Sequence, residues 1–198
     1  VSTPAAVVVS MLVGYLLGSI PVAVLVGRRR SVDLRAVGDR NPGYWNAKEQ
    51  LGRRAAVPVF VGDALKGALA ALVGSALGDA WWVGYLAAAA AMVGHAYPVF
   101  AGFRGGRSVL TFVGAVVVLS PVAALVAVGL CLVTWLLTRS FAWGARVGVF
   151  GFPLIQLVVD GPYRTAATGA LMCIIGLRFA LAGRSGPASA AQGAAPPG

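Results

Sequence analysis

Gly38-Asp39-Arg40-Asn41-Pro42-Gly43-Tyr44-Trp45-Asn46 interrupts a chain otherwise built from long apolar runs. The stretch lies within residues 27–54, which hold half of the 16 basic residues. On either side the sequence stays apolar for about 20 residues at a time, the length that crosses a hydrocarbon core of about 30 Å. Charged residues make up only 11% of the 198, too few to coat a soluble globule of this size, and 59% are hydrophobic. The chain therefore reads as a single all-α integral membrane domain. A soluble bundle of buried helices is the alternative that these run lengths disfavour.

Seven spans follow, at about 3–26, 55–75, 80–101, 107–119, 121–138, 141–159 and 162–182. Pro121 separates the fourth from the fifth; a single interrupted helix there would leave six. The basic residues support seven. Arg28, Arg29, Arg30, Arg35, Arg40, Lys48, Arg53 and Arg54 share the first loop, Arg104 and Arg107 the third, and Arg139 and Arg184 end the fifth and seventh spans. An odd number of crossings puts all of them on one side, which the positive-inside rule makes cytoplasmic, with the N-terminus outside and the C-terminus inside. The opening run lacks a basic leader, so it is expected to be a first span rather than a signal peptide. Residues 1–184 form the membrane domain, with 27–54 as its cytoplasmic loop. The Gly-, Pro-, Ser- and Ala-rich stretch 185–198 is expected to be a disordered tail.

The net charge of +10 sits between apolar spans. That points to anionic lipid headgroups or a phosphorylated substrate as partners, rather than nucleic acid. Cys131 and Cys173 lie inside apolar runs, without metal-ligand spacing, and read as packing residues.

Three clusters carry candidate chemistry. In the first loop, Gly38 and Gly43 permit close backbone approach, Asn41 and Asn46 offer amide groups, and Arg35 and Arg40 offer forked donors suited to phosphate. Tyr44 and Trp45 have the character of interfacial anchors, and the Arg28–Arg30 run is explained by topology alone. The second cluster is Gly94-His95-Ala96-Tyr97-Pro98 followed by Arg104-Gly105-Gly106-Arg107-Ser108. Two glycines, a cation and a hydroxyl before a helix form a candidate phosphate site. His95, the only histidine, is read either as a base or as a hydrogen-bonded structural group. In the third, Asp63 and Lys66 stand at i, i+3 inside a span, where an ion pair is as reasonable as a catalytic role.

Their order, Gly18-Ser19-Ile20-Pro21, Val32-Asp33-Leu34-Arg35-Ala36-Val37-Gly38, Asn41, Gly43, Asn46, Asp63-Ala64-Leu65-Lys66-Gly67, Gly94-His95, Pro98-Val99-Phe100 and Gly105-Gly106, resembles the bacterial acyl-phosphate:glycerol-3-phosphate acyltransferase family, most strongly over about residues 14–120. The resemblance implies a seven-helix enzyme of the bacterial inner membrane with its site at the cytoplasmic face. It implies acyl transfer from acyl phosphate to glycerol 3-phosphate or a related polyol phosphate, forming lysophosphatidic acid without metal, cofactor or acyl-CoA. Carried onto this chain, Asn41, His95, Arg107 and Ser108 become catalytic candidates. Ser19, Arg35, Gly38, Asp39, Arg40, Gly43, Asn46, Asp63, Lys66, Arg104, Gly105 and Gly106 become substrate-binding ones.

The departures are equally specific. The family's Gly-Ser-Gly-Asn-x-Gly-Ala-Thr-Asn has Asp39 and Arg40 at its serine and second glycine, and Tyr44-Trp45 at Ala-Thr. Its Gly-Gly-Lys-Gly becomes Gly105-Gly106-Arg107-Ser108. The serines near the sixth helix become Ala142 and Ala145, and Met172 and Ile175 are aligned with the C-terminal His-x-x-Asn. A second reading follows from these losses: a degenerate member that binds lipid or scaffolds a membrane-protein partner.

Overall fold

The computed structural model describes residues 3–184, so the expected tail at 185–198 lies outside the described residues. Those residues form nine α-helices and one short 3-10 turn. They are α1 (Thr3–Gly18), α2 (Val22–Arg28), α3 (Tyr44–Leu51), α4 (Arg53–Leu77), α5 (Trp82–Ala96), the 3-10 turn Val99–Ala101, α6 (Val109–Leu119), α7 (Pro121–Thr138), α8 (Phe141–Asp160) and α9 (Pro162–Arg184).

Six helical segments are long and apolar enough to cross a membrane: Thr3–Arg28, Arg53–Leu77, Trp82–Ala101, Pro121–Thr138, Phe141–Asp160 and Pro162–Ala182. The expected fourth span is shorter than its reading. Ser108 adopts a left-handed backbone (φ 62), so α6 begins only at Val109. At Ser120-Pro121 the chain breaks as anticipated. The 11 residues between rise about 16 Å, short of the hydrocarbon thickness. The first span is also broken. Pro21 lacks an amide donor, and α1 and α2 part across Ser19-Ile20-Pro21.

The first loop is more structured than a connector. Its second half is α3, which buries Asn46 and Ala47. Ala47, Leu34, Ala23, Ala56 and Val59 form a small apolar cluster that seats the loop on α2 and α4.

The central helices pack by backbone contact. A Cβ at Gly14 or Gly18 of α1 would strike the carbonyl of Ala87 or Ala91 in α5. One at Gly67 of α4 would strike Thr111, and one at Gly114 of α6 would strike Ala64. Lipid supplies no hydrophobic drive between helices, so such close approach is how they hold together. A larger apolar core runs from Ala71, Tyr85, Ala88 and Met92 through Phe112 to Phe152 and Leu171. The outer hairpin α7–α8 meets it through the first half of α7, where Ala123, Ala124 and Ala127 are buried, and through Phe152 of α8.

Candidate active site

The site is built around charges inside the central helices. Asp63 and Lys66, one turn apart on α4, are 2% and 4% exposed. Asp63 Oδ1 lies 2.9 Å from Lys66 Nζ and 3.5 Å from Nδ1 of the buried His95 on α5. The Asp63–Lys66 contact is an ion pair, and neither Asp63 Oδ1 nor His95 Nδ1 has a well-aligned hydrogen-bond partner. Lys66 Nζ also donates to the Ile20 carbonyl (3.1 Å), at the break between α1 and α2. The Pro21 break thus supplies an acceptor for a cation that would otherwise be costly to hold at this depth.

A narrow cleft opens over this group, with about 240 Å³ of unoccupied space counting its mouth. Its walls include Gly18 and Ile20 from the α1–α2 break, Asp63, Lys66, His95, Arg104, Gly105 and Gly106. Two glycines are required where the segment after Pro98 folds back on α5. A Cβ at Gly105 would strike the His95 carbonyl, and one at Gly106 would strike His95 Nε2. The N–H groups of Gly105 and Gly106 donate to the Ala96 and His95 carbonyls, each at 3.1 Å. They are therefore not the free anion-binding donors that the sequence suggested. Donors remain in the first turn of α6, whose amides have no acceptor within the helix.

Arg107, just ahead of α6, donates from Nη1 to Asp39 Oδ2 at 3.0 Å and stacks on the Phe179 ring at 4.7 Å. Its Nε is buried without a partner. The other Asp39 oxygen, Oδ1, accepts a hydrogen bond from the Asn41 backbone N–H at 3.0 Å. Asp39 thereby ties the first loop to the start of α6. The turn that presents it has two left-handed residues, Gly38 (φ 59) and Arg40 (φ 57).

The structure brings Asp63, Lys66, His95, Arg104, Gly105 and Gly106 to one cleft, while Asp39, Asn41 and Arg107, which do not line it, are hydrogen-bonded to one another. Other candidates are engaged elsewhere. Asn46 is 1% exposed and spends its amide donors on the Leu34 and Val37 carbonyls (2.8 and 3.0 Å), bracing the loop instead of facing a ligand. Gly38 packs against Asn46 and Gln50. Gly43 is extended and opens α3. The Ser108 hydroxyl, a candidate catalytic group, is buried and donates to the Met92 carbonyl at 2.7 Å. Arg35 is committed to Asp33 and to the Ala101 carbonyl (3.3 Å). Its guanidinium holds the Asp33 carboxyl down to about 2, chiefly by hydrogen bonding, and the Arg35 pKa is raised in return. Ser19 is fully buried beside Gly94, its hydroxyl unpartnered. Tyr44 and Trp45 do not fill the cleft; their rings meet Phe60 and Phe141.

One residue escaped the sequence reading. Arg178 of α9 donates from Nε to the Gly106 carbonyl and from Nη2 to the Gly105 carbonyl, both at 3.2 Å, and stacks on Tyr97 at 4.7 Å. A lone arginine near the end of an apolar span was the available signal. Met172 and Ile175, aligned there with the family's polar pair, pack against the apolar core instead.

A polytopic α-helical membrane protein with a cation- and glycine-lined cleft at one end is the class these features define. Within that class, the chain belongs to the glycerol-3-phosphate acyltransferase family, which matches residues 8–182. A glycerol-3-phosphate acyltransferase of Rubrobacter xylanophilus is 40% identical over 155 residues, 78% of each chain. One from Thermus thermophilus is 39% identical over 170 residues, 86% of this chain and 85% of the relative. The fold is similar to crystal structures of PlsY (YgiH), an integral membrane glycerol 3-phosphate acyltransferase. Its glycerol 3-phosphate form has a TM-score of 0.77 at 32% identity, with 88% of each chain covered. Its lysophosphatidic acid form has a TM-score of 0.74 at 30% identity, covering 90% of this chain and 93% of that one.

Proposed function

We propose that this protein is a membrane acyltransferase that moves an acyl chain from acyl phosphate to the 1-hydroxyl of glycerol 3-phosphate, releasing lysophosphatidic acid and inorganic phosphate for phospholipid synthesis. The observation that carries this reading is the convergence of Lys66, His95, Arg104 and the Gly105–Gly106 segment on one cleft, with Arg107 at the start of α6. In the reaction the hydroxyl oxygen bonds to the acyl carbon, the acyl carbon–phosphate oxygen bond breaks, and the hydroxyl proton is taken up. His95 would take that proton, a role supported by its position, with Nδ1 3.5 Å from Asp63 and Nε2 beside Gly106 at the cleft. Arg107 and the first-turn amides of α6 would stabilise phosphate and the developing oxyanion, by positioned charge rather than by covalent chemistry.

The same reading places the chain in the bacterial inner membrane with seven crossings, the short α6 among them, the N-terminus outside and the C-terminus inside. The gathering of Arg29, Arg30, Arg104 and Arg139 in inter-helix segments, with Arg28 at the end of α2, supports it. The Asp39–Arg107 ion pair favours a second reading, a degenerate lipid-binding or scaffolding member with a membrane-protein partner, because a carboxylate already occupies the cation that a phosphate would need.

Acyl-phosphate-dependent release of phosphate by the purified protein decides between them. Turnover with glycerol 3-phosphate, lowered about 100-fold in kcat/KM by Arg107→Ala and reduced in Asn41→Ala, supports the enzyme. No turnover with this or other polyol phosphates leaves the scaffold.

A further inference from the structure

A second hollow, with about 530 Å³ of unoccupied space counting its mouth, opens outside the cleft described above. Val24, Arg28, Ser31, Val32, Asp33 and Arg35 line it. The buried Val24 also lines the active-site cleft, so the two spaces share a wall residue. The charges around the hollow are unequal in availability. Arg35 is neutralised by Asp33, which takes its Nε and Nη2 at 2.9 and 3.0 Å, while Nη1 reaches the Ala101 carbonyl. Asp33, held near a pKa of about 2, remains an anion at neutral pH. Arg28, at the end of α2, is exposed, and among the described residues no carboxylate forms an ion pair with it. Two cations and one anion leave the lining with a net charge of +1, carried in effect by Arg28. Arg104 follows: it is close enough to help depress Asp33 and it lines the next space, where Lys66 stands.

We propose that this hollow is a vestibule in which Arg28 captures the terminal phosphoryl group of a phosphorylated substrate and delivers it past Val24 to Arg104 and Lys66. The inference rests on the reading of the cleft as a phosphate-substrate site. A single cation in a concave, half-apolar wall binds weakly and exchanges fast, so its effect is on encounter rather than on chemistry. The phosphoryl group belongs either to the aqueous polyol phosphate, a monoester, or to the lipidic acyl phosphate, a mixed anhydride; Arg28 meets the same terminal oxygens in both. Arg29 and Arg30 are also exposed but do not line the hollow, so topology alone treats the three alike and the vestibule does not.

Full-length Arg28→Gln and Arg29→Gln proteins are compared by steady-state kinetics, varying glycerol 3-phosphate and acyl phosphate in turn, at about 0.05 M and about 0.5 M salt. In Arg28→Gln, KM for one substrate rises about tenfold at low salt with kcat unchanged, and the difference shrinks at high salt. Arg29→Gln stays close to wild type. The substrate whose KM moves identifies the source of the phosphate. Equal shifts in both variants, or a salt-independent fall in kcat, would overturn the vestibule. If wild type does not turn over, the enzyme reading fails, but the vestibule is still tested: titration of glycerol 3-phosphate and of phosphatidic acid vesicles must show weaker binding in Arg28→Gln than in Arg29→Gln. Indistinguishable binding rejects it.

Discussion

The helices that carry the cleft and those that follow it are held in place differently. In the span Trp82–Ala101, 61% of the core window is buried, against 17%, 22% and 11% in the last three spans. α4 and α6 meet backbone to backbone at Gly67 and Gly114, and α1 meets α5 likewise. The outer hairpin closes on itself where Gly144 and Gly148 face Cys131 and Ala127, and it leaves Leu125, Leu137, Phe150, Leu154 and Val158 bare for lipid. Glycine-to-backbone contacts occur in both regions, but only the central helices are also joined to several neighbours, while the outer hairpin meets lipid over most of its surface. The buried Asp63, Lys66 and His95 stand on those central helices.

The sharpest way to break this contrast is to strip the central charge group of its anion. Asp63→Asn leaves Lys66 buried without a counter-charge and should cost about 3–5 kcal/mol, seen as a large drop in thermal unfolding temperature in detergent. Asp63→Leu combined with Lys66→Met should restore much of that stability while leaving the protein inactive. Recovery of activity in the double variant would show the pair to be structural only. Next in size is Gly114→Ala, whose Cβ would strike the Ala64 carbonyl; about 1–3 kcal/mol of destabilisation is expected. Gly151→Ala, on α8 with open space around it, should be neutral or slightly stabilising in the same melt.

Arg178→Ala tests whether α9 contributes to the site despite its exposure. Loss of the two hydrogen bonds to the Gly105 and Gly106 carbonyls should lower kcat/KM about tenfold, with little change in melting temperature. Arg178→Lys should rescue only part, because an ammonium lacks the fork. The smallest effect is acid-dependent. The folded pKa of Asp33, about 2, lies below its ordinary value of 3.8. Its contribution is therefore complete above pH 4 and fades as pH falls toward 2. Because Asp33 is half exposed, the loss should be confined to reduced protection of the Arg35 amide in hydrogen exchange, without global unfolding.

The membrane class, the break at Pro121 and the pairing of Asp63 with Lys66 were legible because each rests on local chemistry: run length, a missing amide donor, a helical spacing. So was the meeting of the first loop with the Gly-Gly segment, through the family resemblance. The roles of Asn46 and Ser108 were not legible. A side-chain amide or hydroxyl reads the same whether it faces a ligand or a backbone carbonyl, and only the fold shows that Leu34, Val37 and Met92 take their donors. Arg178 was missed for the converse reason: it acts on carbonyls more than 70 residues away in sequence. The short α6 depended on the left-handed Ser108, a conformation that serine does not announce.

Arg40 gives the first loop a different kind of meaning. It stands where the resemblance places a glycine, and it keeps a left-handed backbone at φ 57. For a residue with a Cβ that conformation costs roughly 1–2 kcal/mol. The turn thus forms here without the residue that makes such a backbone easy. Its shape is imposed from outside, by Asn46 bracing the Val37 carbonyl on one side and by Asp39 holding Arg107 on the other. A mould of that sort accepts new side chains without changing its outline, which leaves the surface around the cleft free to be rewritten while the path of the chain stays where it was.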